Sequence, residues 1–150
     1  MPLNLISDPW IPVLDRDGAR RVIAPWQMAD ADLVRPDWPR ADLNLGCLEF
    51  LIGLVFLADP PADAEDWDAR VAPDPQRLRA RLAPFTPAFD LTGDGPRFLQ
   101  DLEALEGEAN PPDLLFIDSA GANTSRNNAD LMVRRERYPA LDLPLAAMAL

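Results

Sequence analysis

From Asp42 to Ala58 apolar side chains occupy nearly every position. Leu43, Cys47, Phe50, Leu51, Leu54 and Leu57 form one stripe, while Leu45, Leu48, Ile52, Val55 and Phe56 cover much of the remaining surface. This spacing predicts the longest helix of the chain, and apolarity nearly all round predicts that it is central and buried. Asp59-Pro60-Pro61 ends it, because the residue before a proline leaves the helical region. Upstream, Leu3–Ser7 and Ile11–Leu14 read as short strands broken at Asp8-Pro9, followed by a turn at Asp15–Gly18 and a returning strand at Arg21–Ile23. A hairpin therefore opens the fold. Pro9 and Pro12 have no N–H to give a ladder, which places their strand at an edge or puts a bulge in it. Gln27–Leu33 predicts a short helix, and residues 35–40 a proline-paced loop.

Downstream, Ala62–Val71 and Asp74–Leu82 predict two shorter helices, and Arg97–Gln100 a short extended piece. The acidic run 101–108 reads as a frayed helix or a solvated loop. Asp118–Asp130 is polar and small with no apolar periodicity, which predicts a long loop. Leu143–Met148 predicts a helix with proline in its first turn. The expected class is α+β: a mixed globular domain with an N-terminal β-hairpin, a central buried helix and short helices joined by proline-rich loops.

Composition narrows the chemistry. The 14 basic residues are all Arg, against 25 acidic ones, for a net charge of −11, and there is no His. Without imidazole there is no serine–histidine or cysteine–histidine relay, no His-built zinc site and no switch near neutrality. Cys47 is the only thiol, so no internal disulfide forms, which suits the reducing cytoplasm where the chain is expected to reside. Apolar residues make up 48% of the 150, a globular share, and this length predicts one domain. Seventeen prolines act as punctuation between short elements. The longest apolar run, Leu48–Ala58, is interrupted by Glu49 and falls short of the ~18–20 residues that span a bilayer. The N-terminus lacks the basic stretch of a signal peptide, so no membrane is expected.

Asp63, Glu65, Asp66 and Asp68 form the densest carboxylate cluster. A calcium loop needs Gly at its sixth position and Glu at its twelfth. Counted from Asp63 these are Asp68 and Asp74, so the cluster reads as a solvated helix face with Asp66–Arg70 pairing at i,i+4. Gly93-Asp94-Gly95 lacks the third glycine of a dinucleotide loop, and Ser119, Thr124 and Ser125 have no imidazole or Lys to activate them. The tryptophans at 10, 26, 38 and 67 read as core anchors with satisfied indole nitrogens. No catalysis, metal or cofactor is expected. The alternatives are a metal-dependent hydrolase using an Asp/Glu pair and an unrelated protein-interaction domain. The stretch Ser119–Asn128, followed by Arg134-Arg135-Glu136-Arg137-Tyr138, offers amides, hydroxyls and guanidinium groups suited to a phosphodiester backbone and to base edges. A net charge of −11 argues against gripping nucleic acid without a partner's positive potential.

Ile6-Ser7-Asp8-Pro9-Trp10-Ile11-Pro12-Val13, the apolar helix Leu43–Leu57, the segment Gly95-Pro96-Arg97-Phe98-Leu99-Gln100 and the Gly/Asn-rich stretch Gly121–Asn128 occur in this order. Together they resemble the CasA family, the large subunits of type I-E CRISPR Cascade surveillance complexes. The resemblance covers about the N-terminal third of such a protein, so residues 1–150 are expected to be the N-terminal part of its α/β domain, cut off inside a helix. It implies a non-enzymatic subunit in antiviral defence that assembles on guide RNA and contributes to recognising the protospacer-adjacent motif in foreign double-stranded DNA. The implied partners are other Cascade subunits, the guide RNA, the target DNA and a recruited helicase-nuclease, with the DNA met mainly by regions beyond residue 150. By position, the family's contact loop corresponds to 116–130, with Phe116 at its entrance and Gly121, Asn123, Arg126, Asn127 and Asn128 as polar contacts. The histidine common in that loop is missing.

Overall fold

Strands β1 (Ile11–Asp15) and β2 (Arg20–Ile23) pair antiparallel, with Ile11 opposite Ile23 and Leu14 opposite Arg20. The turn between them is fixed by Asp15, whose carboxylate accepts the N–H groups of Asp17 and Ala19 at 3.1 and 2.8 Å. Gly18 supplies the φ of +76° there. The hairpin is the one its pattern predicts. A third strand, β3 (Leu33–Pro36), joins the opposite side of β1, giving the order β2-β1-β3. The proline-bearing strand is therefore central and not at an edge. Pro12 is accommodated because its carbonyl accepts the Asp37 N–H at 2.8 Å just where β3 has ended, and the register irregularity falls between Leu14 and Asp15.

The structure, a computed structural model, describes all residues except 1, 71, 102, 104, 105, 108 and 132–136. The chain divides into two compact units, Met1–Leu102 and Glu103–Leu150.

In the first unit the expected strand at Leu3–Ser7 is cut to a single antiparallel bridge, Asn4 opposite Asp90 with Leu5 N–H on Phe89 O and Leu91 N–H on Leu3 O, each at 2.8 Å, after which residues 5–7 turn. Asn4, 7% exposed, explains why. Its side-chain oxygen accepts from Ile6 N–H and Ser7 N–H, each at 3.0 Å, and its amide donates to Thr86 O and Asp90 Oδ1 at 2.8 and 2.7 Å. An Asx-type side chain has captured the backbone that an extended ladder would use. The expected helix Gln27–Leu33 is likewise displaced. A 3-10 helix runs from Pro25 to Ala29, Asp30 accepts the Asp32 N–H at 3.2 Å to form a turn, and Leu33 enters β3.

Helix α1 (Ala41–Ala58) forms where its apolar pattern places it. Asn44 organises its start, accepting from Trp38 N–H and donating to the carbonyls of Trp38 and Arg40. Burial is confined to one face: Leu43, Cys47, Leu51 and Leu54 are covered, whereas Leu45, Leu48, Ile52, Phe56 and Leu57 are exposed. By length and composition this 18-residue helix reaches the span that the interrupted apolar run had seemed too short for. Its buried face instead lies against β3 and α3 (Pro75–Leu82), whose Leu78 and Leu82 are buried. In chain order α2 (Ala64–Ala69) comes between α1 and α3 and is shorter than expected. An aromatic series runs through the unit: Trp10 meets Trp38 and Phe50 at 6.1 and 5.7 Å, Phe50 meets Phe98 at 6.2 Å, and Phe98 stacks on Phe89 at 4.9 Å. Arg97–Gln100 is consequently a turn and not extended. Leu99 adopts φ +51°, Phe98 N–H bonds Asp90 O at 2.8 Å, and the Gln100 amide bonds Leu91 O at 2.7 Å.

The second unit carries a 3-10 helix Pro112–Leu115, α4 (Ala122–Arg126) and α5 (Leu143–Ala149). Helix α5 is capped by Asp142, which accepts the Leu145 N–H at 2.9 Å, with Pro144 in the first turn as the sequence predicts. In the acidic run 101–108 the described residues form no helix. The mixed α+β architecture is that expected from the sequence.

Candidate functional site

The segment 116–130 differs from the expected unstructured loop. Gly121 is the N-cap of α4, and its carbonyl accepts the Ser125 N–H at 2.9 Å. The helix ends with Asn127 N–H on Asn123 O at 3.1 Å, Asn128 N–H on Ser125 O at 3.3 Å and Ala129 N–H on Thr124 O at 3.0 Å. Asn128 takes φ +50°, the left-handed conformation in which asparagine is tolerated at a helix end. These are local signals. Gly121, Asn128 and a basic residue in the last turn could have revealed a short helix, but five residues carry too little apolar periodicity to announce it.

Asn123, Arg126, Asn127 and Asn128 are exposed, and Gly121 is half-buried. The structure thus brings five of the six expected contact residues onto one short helix and its cap. Arg126 makes no ion pair with any described residue. Guanidinium and amide groups so displayed can bond phosphate oxygens, and the amides can meet base edges in a single strand.

Phe116 has a different place. It is 4% exposed and stacks on Tyr138, with ring centroids 3.9 Å apart and planes 21° from parallel. Asp118 pairs with the Arg137 guanidinium and lies 3.4 Å from the Tyr138 hydroxyl. Arg137 also lies 5.5 Å from the Tyr138 ring centroid. The start of the segment is therefore clasped to Arg137 and Tyr138, which lie beyond its end, with Asp118 and Tyr138 twenty positions apart. Sequence reasoning placed Phe116 at the loop's entrance but could not see its partner, because nothing local links positions 116 and 138. Arg134, Arg135 and Glu136, also singled out in the sequence, lie outside the described residues.

Two members of the carboxylate cluster, Asp63 and Asp66, are engaged in a helix end and an ion pair. Asp63 is the N-cap of α2, accepting the Asp66 N–H at 2.8 Å. Asp66 accepts from Ala62 N–H at 2.9 Å and pairs with Arg70 at 2.6 Å. The Arg70 guanidinium, followed by the Ala62 amide, draws the Asp66 carboxyl down to about 2. Asp59, at the C-terminus of α1, collects Arg70, Arg77 and Arg81 at 3.3, 2.9 and 3.6 Å. Among the described residues no three His, Cys, Asp or Glu side chains gather as metal ligands would.

The tryptophans divide. Trp10 is buried with its indole N–H on Leu5 O at 3.0 Å. Trp38 is buried, but its indole nitrogen lacks a hydrogen-bond partner. Trp26 lies beneath the Arg79 guanidinium at 5.0 Å, and Trp67 is exposed. Burial pushes the Cys47 thiol up.

Comparison with known proteins gives this geometry a context. Residues 4–150 match the family described as CRISPR-associated protein Cse1. Among solved structures, Cse1 from Thermobifida fusca superposes with a TM-score of 0.77 at 21% identity, covering 99% of this chain and 29% of its own. CasA (Cse1) from Thermus thermophilus gives 0.69 at 23% identity, covering 98% of this chain and 29% of its own. Cse1 from Acidimicrobium ferrooxidans gives 0.67 at 22% identity over 80% of this chain and 25% of its own. The chain thus spans under a third of the length of these relatives. Among curated proteins none matches it.

Proposed function

The chain belongs to the Cse1 family of CRISPR-associated proteins, and on that premise we propose that it works as part of the large subunit of a Cascade surveillance complex in the cytoplasm. Its role in this reading is to bind and position, not to make or break bonds. The observation that carries the proposal is the family match over residues 4–150, joined to the display of Asn123, Arg126, Asn127 and Asn128 on one exposed helix end. That helix end supplies donors and acceptors to the guide RNA and to neighbouring subunits. Protospacer-adjacent-motif reading and helicase-nuclease recruitment are assigned to the assembled large subunit. The net charge of −11 supports a division of labour in which partners contribute the positive potential that grips nucleic acid. Of the dense carboxylates at 63–68, Asp63 caps α2 and Asp66 pairs with Arg70, which supports their reading as a solvated helix face and favours binding over catalysis.

The test is Arg126→Ala combined with Asn127→Ala, made in the large subunit of a reconstituted complex. Both side chains are exposed, so the circular dichroism and melting temperature of the isolated chain should be unchanged. Co-purification with the guide-loaded complex should fall about tenfold, the loss expected for two or three polar contacts at roughly 0.5–1.5 kcal/mol each. Retention at the wild-type level would overturn the assignment of this helix end.

A further inference from the structure

Strand β2 is an edge of the sheet, and its register fixes which backbone groups it leaves unpaired. Asp15 N–H bonds Ala19 O at 3.1 Å, so the bonded pairs of this antiparallel ladder are Asp15–Ala19, Val13–Arg21 and Ile11–Ile23. The N–H and C=O groups of Arg20 and Val22 therefore point away from β1, and they have no hydrogen-bond partner among the described residues. Pro12, opposite Val22, agrees with this phase, because its carbonyl turns the other way to accept Asp37 N–H. The free edge stops at Ala24, whose N–H is taken by the Gln27 side chain at 2.9 Å. The far edge of the sheet is a poorer template, since β3 ends in Pro36, which has no N–H to offer.

Side chains give this edge a chemical preference. Arg20 and Val22 stand on one face of the strand and Arg21 on the other, and together with Pro12 they line a depression of about 280 Å³. Val22 is 60% exposed, and the Arg20 side chain 76%. Arg20 and Arg35 share one carboxylate, Asp37, while Arg21 reaches Asp30 at 3.6 Å. The nearby Asp15 carboxylate is turned to the hairpin amides of Asp17 and Ala19. In a chain of net charge −11, the edge thus presents guanidinium groups. Unpaired donors and acceptors in a row are a template for another strand. A second copy paired through β2 would set Arg20 and Arg21 against their own likes, which is destabilising. A phosphodiester backbone would meet the guanidinium and N–H groups but leave the carbonyls of Arg20 and Val22 unanswered. An extended peptide answers both kinds of backbone group, and carboxylates on it answer the arginines. We propose that the free edge of β2 docks an extended acidic segment of a partner protein. The segment pairs antiparallel, with an apolar side chain beside Val22 and carboxylates beside Arg21 and Arg20, which reads as Val-Glu-Glu along the partner. Antiparallel pairing lets Arg20 and Val22 each exchange two bonds with the residue opposite. The proposal is independent of whether α4 meets guide RNA.

The experiment is fluorescence anisotropy of a fluorescein-labelled peptide, Ser-Thr-Val-Glu-Glu-Thr-Ser, titrated with the full chain. Val22→Pro removes one outward N–H that bonds nothing in the fold, so circular dichroism and melting temperature should be unchanged. Peptide affinity should nevertheless fall about tenfold, the loss expected for one or two hydrogen bonds. The same peptide methylated on the backbone nitrogens of Val and the second Glu should lose a similar factor against the unaltered chain, a readout free of any folding defect. Arg20→Glu combined with Arg21→Glu should abolish binding, and replacing both peptide Glu residues by Gln should weaken it at least about tenfold. Equal affinity for the Glu and Gln peptides would overturn the proposal. So would binding that neither Val22→Pro nor backbone methylation weakens, because charge alone would then hold the peptide without strand pairing. Tighter binding of fluorescein-labelled oligothymidylate, kept in Val22→Pro and lost in the double Glu variant, would assign the edge to a nucleic-acid backbone instead. A dimer in sedimentation velocity that Val22→Pro disperses would assign it to a second copy.

Discussion

The two units are held together by different means. In Met1–Leu102 an aromatic series joins Trp10 just ahead of β1, α1 and the turn at Phe98, and a polar hub at Asn4 ties the N-terminal turn to Thr86 and Asp90. In Glu103–Leu150 the described apolar side chains that are buried are Phe116 and Ala147 alone. What closes that unit's central segment is a stacked ring pair and an ion pair. The difference separates two kinds of structural determination. Where many large side chains interlock, removing one leaves a cavity that its neighbours cannot fill. Where a single clasp joins the ends of a polar segment, the same deletion loosens only what the clasp holds.

The largest effect should therefore fall on Trp10. Its ring contacts Trp38 and Phe50, and its indole N–H is bonded to Leu5 O inside the core. Trp10→Ala should cost about 3–5 kcal/mol in urea unfolding followed by far-ultraviolet circular dichroism, a large share of the ~5–15 kcal/mol of an ordinary domain. A loss below about 1 kcal/mol, the range of surface changes, would break the comparison by showing that the aromatic series does not support the first unit.

Tyr138→Ala tests the other side of the comparison. Removing the ring takes away the stack on Phe116 and the hydroxyl near Asp118, with an expected cost of about 0.5–1.5 kcal/mol beyond area burial. The consequence should be local. Amide exchange at Ser125, Asn127 and Ala129, whose N–H groups hold α4 and its cap, should quicken, while the amides of β1 keep their rates. Tyr138→Phe should restore slow exchange, because the ring stack and not the hydroxyl closes the segment. Equal quickening in both variants would transfer the closure to the polar contacts.

Legibility follows the same divide. Helices α1, α3 and α5 and the opening hairpin could be read in advance because their signals are local: helical apolar spacing, proline at a helix start, and Asp-x-Asp-Gly at the turn. The failures came where a side chain redirected the backbone. Asn4 ended an apparent strand after one bridge and Asp30 ended a short helix early, whereas the strand of Pro12 is central and carries a register irregularity between Leu14 and Asp15, one of the two arrangements expected of it. The apolarity of α1 foretold its existence but not its one-sided burial, since composition does not say how many neighbours are present. At the candidate site the polar residues were legible by type. Their gathering on α4 was hidden by the helix's shortness, and the clasp by the 22 positions that separate Phe116 from Tyr138.

The smallest effect is expected at Asp66, where contacts are strong in geometry and weak in consequence. Its carboxyl is lowered to about 2 by the Arg70 guanidinium first and the Ala62 amide second. A carboxyl whose folded pKa lies below its unfolded value near 3.8 contributes stability that is fully present above the unfolded value. That stability is lost as pH falls toward 2. Wild type should accordingly exceed Asp66→Asn in urea midpoint at pH 6. The gap should narrow between pH 4 and 2, and the two curves should meet below the folded pKa. Because the group faces solvent, the gap at pH 6 should also shrink in 1 M salt, where the Debye length is only about 3 Å. Asp63, by contrast, caps α2 through a hydrogen bond to the Asp66 N–H, and that bond is intact in Asp66→Asn. A gap that persisted unchanged at pH 2 and in high salt would mean that Asp66 acts through packing or capping and not through its charge. The ion-pair network around Arg70 would then join the first unit's structural core instead of its solvated rim.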